Sequence, residues 1–155
     1  MLWNLRARLG YQVARRLMRF PGLVAHPRAW QWMQGQFARM AALGDVSAQS
    51  FYGHLLLHRG HGFGAREEGI RLLRLAAQGG DGKAAYQLGL LSLAGDARQA
   101  PDAAEAAHWW GLAANAGHPL AARKLADLYR DGGPGLGPDA SAAERAARRA
   151  FELGL

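Results

Sequence analysis

Four glycines set a beat along this chain. Gly44, Gly80 and Gly117 stand 36 and 37 residues apart, and a further 37 residues lead to Gly154. Behind the first three the same spelling returns: Gly44-Asp45-Val46-Ser47-Ala48 running on to Tyr52-Gly53, Gly80-Asp81-Gly82-Lys83-Ala84 to Leu88-Gly89, and Gly117-His118-Pro119-Leu120-Ala121 to Leu125-Ala126. A period of that length is one helix-turn-helix unit, which cannot bury its own apolar face and must stack on a neighbour. The spacing therefore predicts an all-α chain, a solenoid of antiparallel helix pairs with about eight helices. It also moves the expected function from chemistry toward binding.

The three units cover residues 44–79, 80–116 and 117–154. Their first helices are expected over 47–59, 83–94 and 119–130, their second helices over 66–78, 102–116 and 140–153. Glycine-marked breaks separate the two, among them Gly60-His61-Gly62-Phe63-Gly64 and Gly132-Gly133-Pro134-Gly135-Leu136-Gly137-Pro138. Asp102 and Asp139 stand where a carboxylate can accept from the free amides that open a helix. Ala48, Ala84 and Ala121, with the pairs Ala76-Ala77 and Ala113-Ala114, recur where two helices must touch. Trp109 and Trp110, like Leu72 and Leu73 one repeat earlier, fill the wedge between units.

Residues 1–43 fall outside that register and are expected to form a basic helical cap. Leu2, Leu5, Leu9, Val13, Leu17 and Phe20 recur at helical spacing through residues 2–20, with Arg8, Gln12, Arg15 and Arg19 on another side. Pro21-Gly22 is expected to end that helix. A second helix over 27–43 points Trp30, Met33, Phe37, Met40 and Ala41 inward, and Gly44 closes it.

Charge follows the same division. The net charge is +7, and residues 1–44 hold seven arginines and no acid, leaving twelve basic against twelve acidic side chains from Asp45 onward. Attraction to phosphate, lipid headgroups or an acidic protein therefore belongs to the N-terminal segment. Its apolar stretch is broken by Arg19 and Pro21 before it reaches signal-peptide length, which argues against export. No stretch reaches the roughly 18 apolar residues of a membrane span. Cysteine is absent, so neither disulfide nor thiolate chemistry is open to the chain, and a reducing, cytoplasmic setting fits.

The repeats resemble the Sel-one-like repeat (SLR) family, relatives of the tetratricopeptide repeats. Unit two carries the pattern most fully: Ala84, Leu88, Gly89 and Gly95, then Glu105-Ala106, Trp109-Trp110, Ala113-Ala114 and Gly117. Unit three keeps Ala121, Leu125, Tyr129 and Gly132 but has Ala146-Ala147 for the aromatic pair. Unit one keeps Ala48 and Gly53. The resemblance implies a right-handed superhelix whose first helices line a concave face that holds a protein or peptide, as in bacterial adaptors and scaffolds. It implies no catalytic constellation and no cofactor.

Carried onto this sequence, the residues expected in that groove are Ser50, His54 and Leu57 in unit one, Tyr86, Leu90 and Leu93 in unit two, and Arg123, Asp127 and Arg130 in unit three. Their chemistry runs from polar through apolar to charged, which suits one extended partner and equally an unselected surface. The first helix has its own alternatives. Its apolar stripe either closes the open end of the stack, as terminal repeats must, or lies in the interface of a membrane, at the inner membrane of a bacterium, with Arg8, Arg15 and Arg19 toward anionic lipid or an acidic partner. Nucleic acid is disfavoured because the repeats are neutral.

Three enzymatic readings are weaker. His54, His58 and His61 suggest a metal-dependent enzyme, but no HExxH pattern occurs and His61 lies in the glycine loop. The Gly60–Gly64 run follows a helix, whereas a phosphate cradle needs a preceding strand. Neither Gly-x-Ser-x-Gly nor Ser-x-x-Lys is present.

Overall fold

A computed structural model describes residues 2–155. Among these residues there are nine helices and no strand: α1 (Leu2–Leu17), α2 (Pro21–Ala25), α3 (Pro27–Ala42), α4 (Val46–Arg59), α5 (Ala65–Gln78), α6 (Gly82–Ala94), α7 (Ala103–Asn115), α8 (Pro119–Asp131) and α9 (Ala140–Glu152). The expected eight become nine because Pro21 does not merely stop a helix. It occupies the first position of the short α2, where a missing N–H is no loss. The first helix accordingly ends at Leu17 and does not run on to Phe20.

The glycine beat has a backbone cause. Gly44, Gly80, Gly117 and Gly154 all sit at positive φ, between 84° and 98°, where a side chain would be strained. At three of them the chain closes in a Schellman turn. The amides of Gly80 and Asp81 donate to Ala77 and Ala76, those of Gly117 and His118 to Ala114 and Ala113, and those of Gly154 and Leu155 to Phe151 and Ala150. The residue after the glycine then opens the next helix: Asp45 Oδ1 accepts from the Ala48 amide at 2.7 Å, Asp81 Oδ1 from Ala84 at 2.7 Å, and His118 Nδ1 from Ala121 at 3.3 Å. Helix stop and helix start thus share two residues, which fixes the length of the unit.

A second cap recurs inside the units. Asp102 and Asp139 accept from the amides of Glu105 and Ala142, as the sequence predicts. Their own amides donate to the carbonyls of Ser92 and Tyr129, at 2.8 and 2.7 Å. Residues 37 apart therefore make the same bond, so the loops of units two and three are copies.

By its contacts the chain groups into two compact units, residues 1–72 and 73–155, with the division inside α5. In the first, α3 packs against α1, α2 and α4. Phe37 is fully buried at its centre, edge-on to Tyr11 and Phe51 at centroid distances of 6.1 and 5.1 Å. Full burial of such a side chain contributes about 1.5–3 kcal/mol. Met33, Met40 and Ala41 join it and Trp30 is half-buried, as expected, while Trp32 is exposed. Gln49 on α4 donates its side-chain amide to the Ala41 carbonyl and ties α4 to the end of α3.

In the second unit α6 packs on α7, α7 on α8 and α8 on α9. Ala84, Ala113 and Ala121 are completely buried at these contacts, and Ala76 on α5 is completely buried as well. Gly89 marks the closest approach: a Cβ there would run into the Trp110 indole. That indole is buried and donates to the Tyr86 carbonyl at 3.2 Å. Trp109 is buried too, so both tryptophans hold helices together.

Candidate functional site

The groove residues predicted on unit one do not act as a set. Ser50 must be corrected: it is 7 % exposed, because α4 is covered on more than one side, and its carbonyl is held by His54 Nδ1 at 2.7 Å. His54 and Leu57 are half-buried. The His54 and His58 rings lie roughly parallel with centroids 6.4 Å apart, and His61 is exposed in the loop. Among the described residues no three His, Cys, Asp or Glu side chains gather where they could hold a metal ion.

Units two and three supply a better-formed site. Along α6, Tyr86, Leu90 and Leu93 are half-buried and share one face; along α8, Arg123 and Arg130 are exposed and Asp127 is half-exposed. Leu93 and Asp127 meet in a cleft of about 210 Å³ whose other walls are Trp110, Lys124, Leu128, Asp131 and Gly132. Its floor is apolar, formed by Leu93, Leu128 and the Trp110 ring. Lys124 Nζ stands over that ring, 5.7 Å from its centroid, which fixes a cation at the rim. Arg130 bonds Asp131 and Asp127 at 3.2 and 2.8 Å, and these contacts hold its guanidinium even more firmly protonated than usual. The side chains of all three are about half or more open to solvent, so the cluster orders the rim and adds little stability.

Arg123 and Leu90 lie outside this cleft. Tyr86 stacks on His118 at 4.5 Å between centroids, at the start of α8. Burial, and then the nearby Lys83, lower the His118 pKa, which favours the neutral ring that can accept the Ala121 amide. Sequence reasoning missed Lys124 and Asp131, although Lys124, Asp127 and Asp131 are three and four residues apart and so share one helical face.

A second cleft, of about 250 Å³, opens where Ala146 replaces the tryptophan of the previous repeat. Leu125, Tyr129, Ala114, Ala142 and Ala146 line it, and Arg145 and Arg149 flank it. Arg149 is anchored there, donating to the Ala114 carbonyl at 3.3 Å.

On α1 the leucine stripe, expected either to close the stack or to face a membrane, is open. The buried residues are Ala7, Tyr11 and Ala14, whereas Leu2, Leu5, Leu9 and Val13 are between 48 and 79 % exposed. On the buried side α1 and α3 come together: a Cβ on Gly10 would meet the Gln36 side chain, and the Tyr11 ring lies edge-on to Phe37. Arg15 lies over the Phe51 ring at 5.2 Å, so it is engaged within the protein, while Arg8 and Arg19 are exposed. No helix among the described residues is long and apolar enough to cross a membrane.

No protein-family model matches the sequence, and no curated protein matches it. Solved structures do. The crystal structure of a Sel1 repeat protein from Oxalobacter formigenes aligns with a TM-score of 0.64 at 33 % identity, over 77 % of this chain and 88 % of that one. The protective antigen c5321 of uropathogenic Escherichia coli strains, which displays an SLR fold, aligns with a TM-score of 0.66 at 20 % identity. This chain covers 26 % of that antigen, and at such identity the likeness shows the fold alone. The fold is an all-α solenoid, a helical-repeat module of the kind that mediates protein–protein interaction. With its helix pairs, its glycine beat and 33 % identity to a Sel1 repeat protein over 77 % of its length, the chain belongs to the Sel1-like repeat family.

Proposed function

We propose that this protein is a non-enzymatic scaffold that holds an extended segment of a partner protein along its first helices. The observation that carries this reading is the cleft between α6, α7 and α8. It combines an apolar floor at Leu93 and Trp110 with fixed charges of both signs at Lys124 and Asp127. An extended chain presents alternate side chains to a surface, and a site of this size takes one apolar side chain while the rim selects its polar neighbours. Arg123 and Arg130, exposed on the same helix, continue the polar rim. The chemistry asked of the site is recognition, for which a rigid helical frame suffices.

The experiment compares wild-type protein with an Arg123→Glu/Arg130→Glu variant and a Leu93→Asp variant in affinity capture read by mass spectrometry. A partner retained by the wild type should be lost with both. The arginine double variant should keep its melting temperature within about 1–2 °C, because both side chains are on the surface. Equal capture by all three proteins would reject this face as the binding site.

A further inference from the structure

The strongest unexplained surface is the outward side of α1. Leu5, Leu9 and Val13 are 55, 59 and 48 % exposed, and Leu2 is 79 % exposed, a continuous aliphatic line along the helix. At 3.6 residues per turn this line lies about half a turn away from Ala7, Tyr11 and Ala14, the side committed to packing on α3. The helix is therefore apolar on two opposite faces, one filled by the protein and one open. Arginines border the open face of α1 on both sides, Arg8 on one and Arg6 on the other, with Arg16 within it, and Arg19 follows just past the end of the helix; all four are exposed. No carboxylate occurs before Asp45 to neutralise them.

We infer that α1 docks lengthwise on an anionic lipid surface, its leucine line sunk among the acyl chains and its arginines at the headgroups. An interfacial helix needs an apolar face parallel to the surface and cations level with the phosphates on either side, and α1 supplies both. Arginine stems can follow the leucines inward while the guanidinium stays at the phosphate level. The positive charge of the segment complements anionic headgroups. Docking also leaves the packing of α1 on α3 intact, since the side used is the one that the fold does not use. The attachment is peripheral, and it is independent of what the repeats bind.

The test uses the full chain in co-sedimentation with vesicles of phosphatidylcholine alone and of phosphatidylcholine with phosphatidylglycerol. Binding is expected only to the anionic vesicles and should weaken as salt is raised. A Leu5→Asn/Leu9→Asn variant should lose at least about tenfold in apparent affinity, as should Arg8→Gln/Arg16→Gln, with melting temperatures unchanged because all four side chains are exposed. Failure of the wild type to bind anionic vesicles overturns the inference. So does binding that survives the leucine substitutions. Light scattering without lipid provides a further check: a dimer that the leucine variant dissolves, together with no vesicle binding, would identify a second copy as the occupant and equally overturn it.

Discussion

At the scale of single residues, the junction between units turns on what stands after the glycine. Two of the three junctions use aspartate, whose Oδ1 accepts from the amide three residues on. The third uses His118, which can accept the Ala121 amide only while Nδ1 is unprotonated. Burial lowers its pKa below the usual value of about 6.5. A histidine whose folded pKa is depressed binds fewer protons folded than unfolded, so its contribution is complete above about pH 6.5 and is lost as pH falls through the folded value. His118→Asn keeps a capping oxygen that does not titrate. The melting temperature of the variant relative to wild type should therefore climb between about pH 7 and pH 5, measured by thermal denaturation at each pH. A constant difference would mean that the ring does not lose its cap on protonation.

At the scale of helices, units two and three show how one substitution is answered by another. Trp110 in unit two lies on Gly89, which has no Cβ to obstruct it. In unit three the position of Trp110 is Ala147, and the position of Gly89 is Ala126, so the methyl group returns where the indole is gone. Nothing compensates in the same way for Trp109, whose counterpart Ala146 leaves the cleft beside Leu125 and Tyr129. Unit one carries Leu72 at this position, buried, which shows that the repeat accommodates leucine there. Ala146→Leu should partly fill the cleft and raise the melting temperature by about 2–4 °C, checked by differential scanning calorimetry. Part of this was legible in the sequence because it is local, a left-handed glycine ending a helix, an aspartate opening one and alanines where helices touch, whereas Gly89 opposite Trp110 emerges only when α6 and α7 are laid together. The facing of α1 was not legible. Its sequence offers two periodic apolar faces, and the choice between them rests on how closely Gln36 and Phe37 of another helix approach. Ser50 was misplaced for the same reason, since a helix covered on several sides has fewer open positions than a groove pattern assumes.

At the scale of the whole molecule, stability in a repeat protein is a sum of local terms, each helix answering to those stacked beside it and not to one shared centre. Phe37 is the centre of the first compact unit, surrounded by Tyr11, Phe51 and Tyr52. The second unit has its own packing, in which Ala114, Ala122 and Ala150 meet with Leu153 against them. Phe37→Leu keeps an apolar side chain of nearly the right size but loses the edge-on aromatic contacts, at a cost of about 1 kcal/mol. Under native conditions that loss should appear as faster amide exchange, by up to about fivefold, in α1, α3 and α4, while amides of α8 and α9 keep their wild-type rates. Hydrogen exchange read by mass spectrometry resolves these segments. A molecule that opened as one cooperative body would instead transmit the loss to α9 as fully as to α3, and uniform acceleration would show that its repeats do not behave as a linear array.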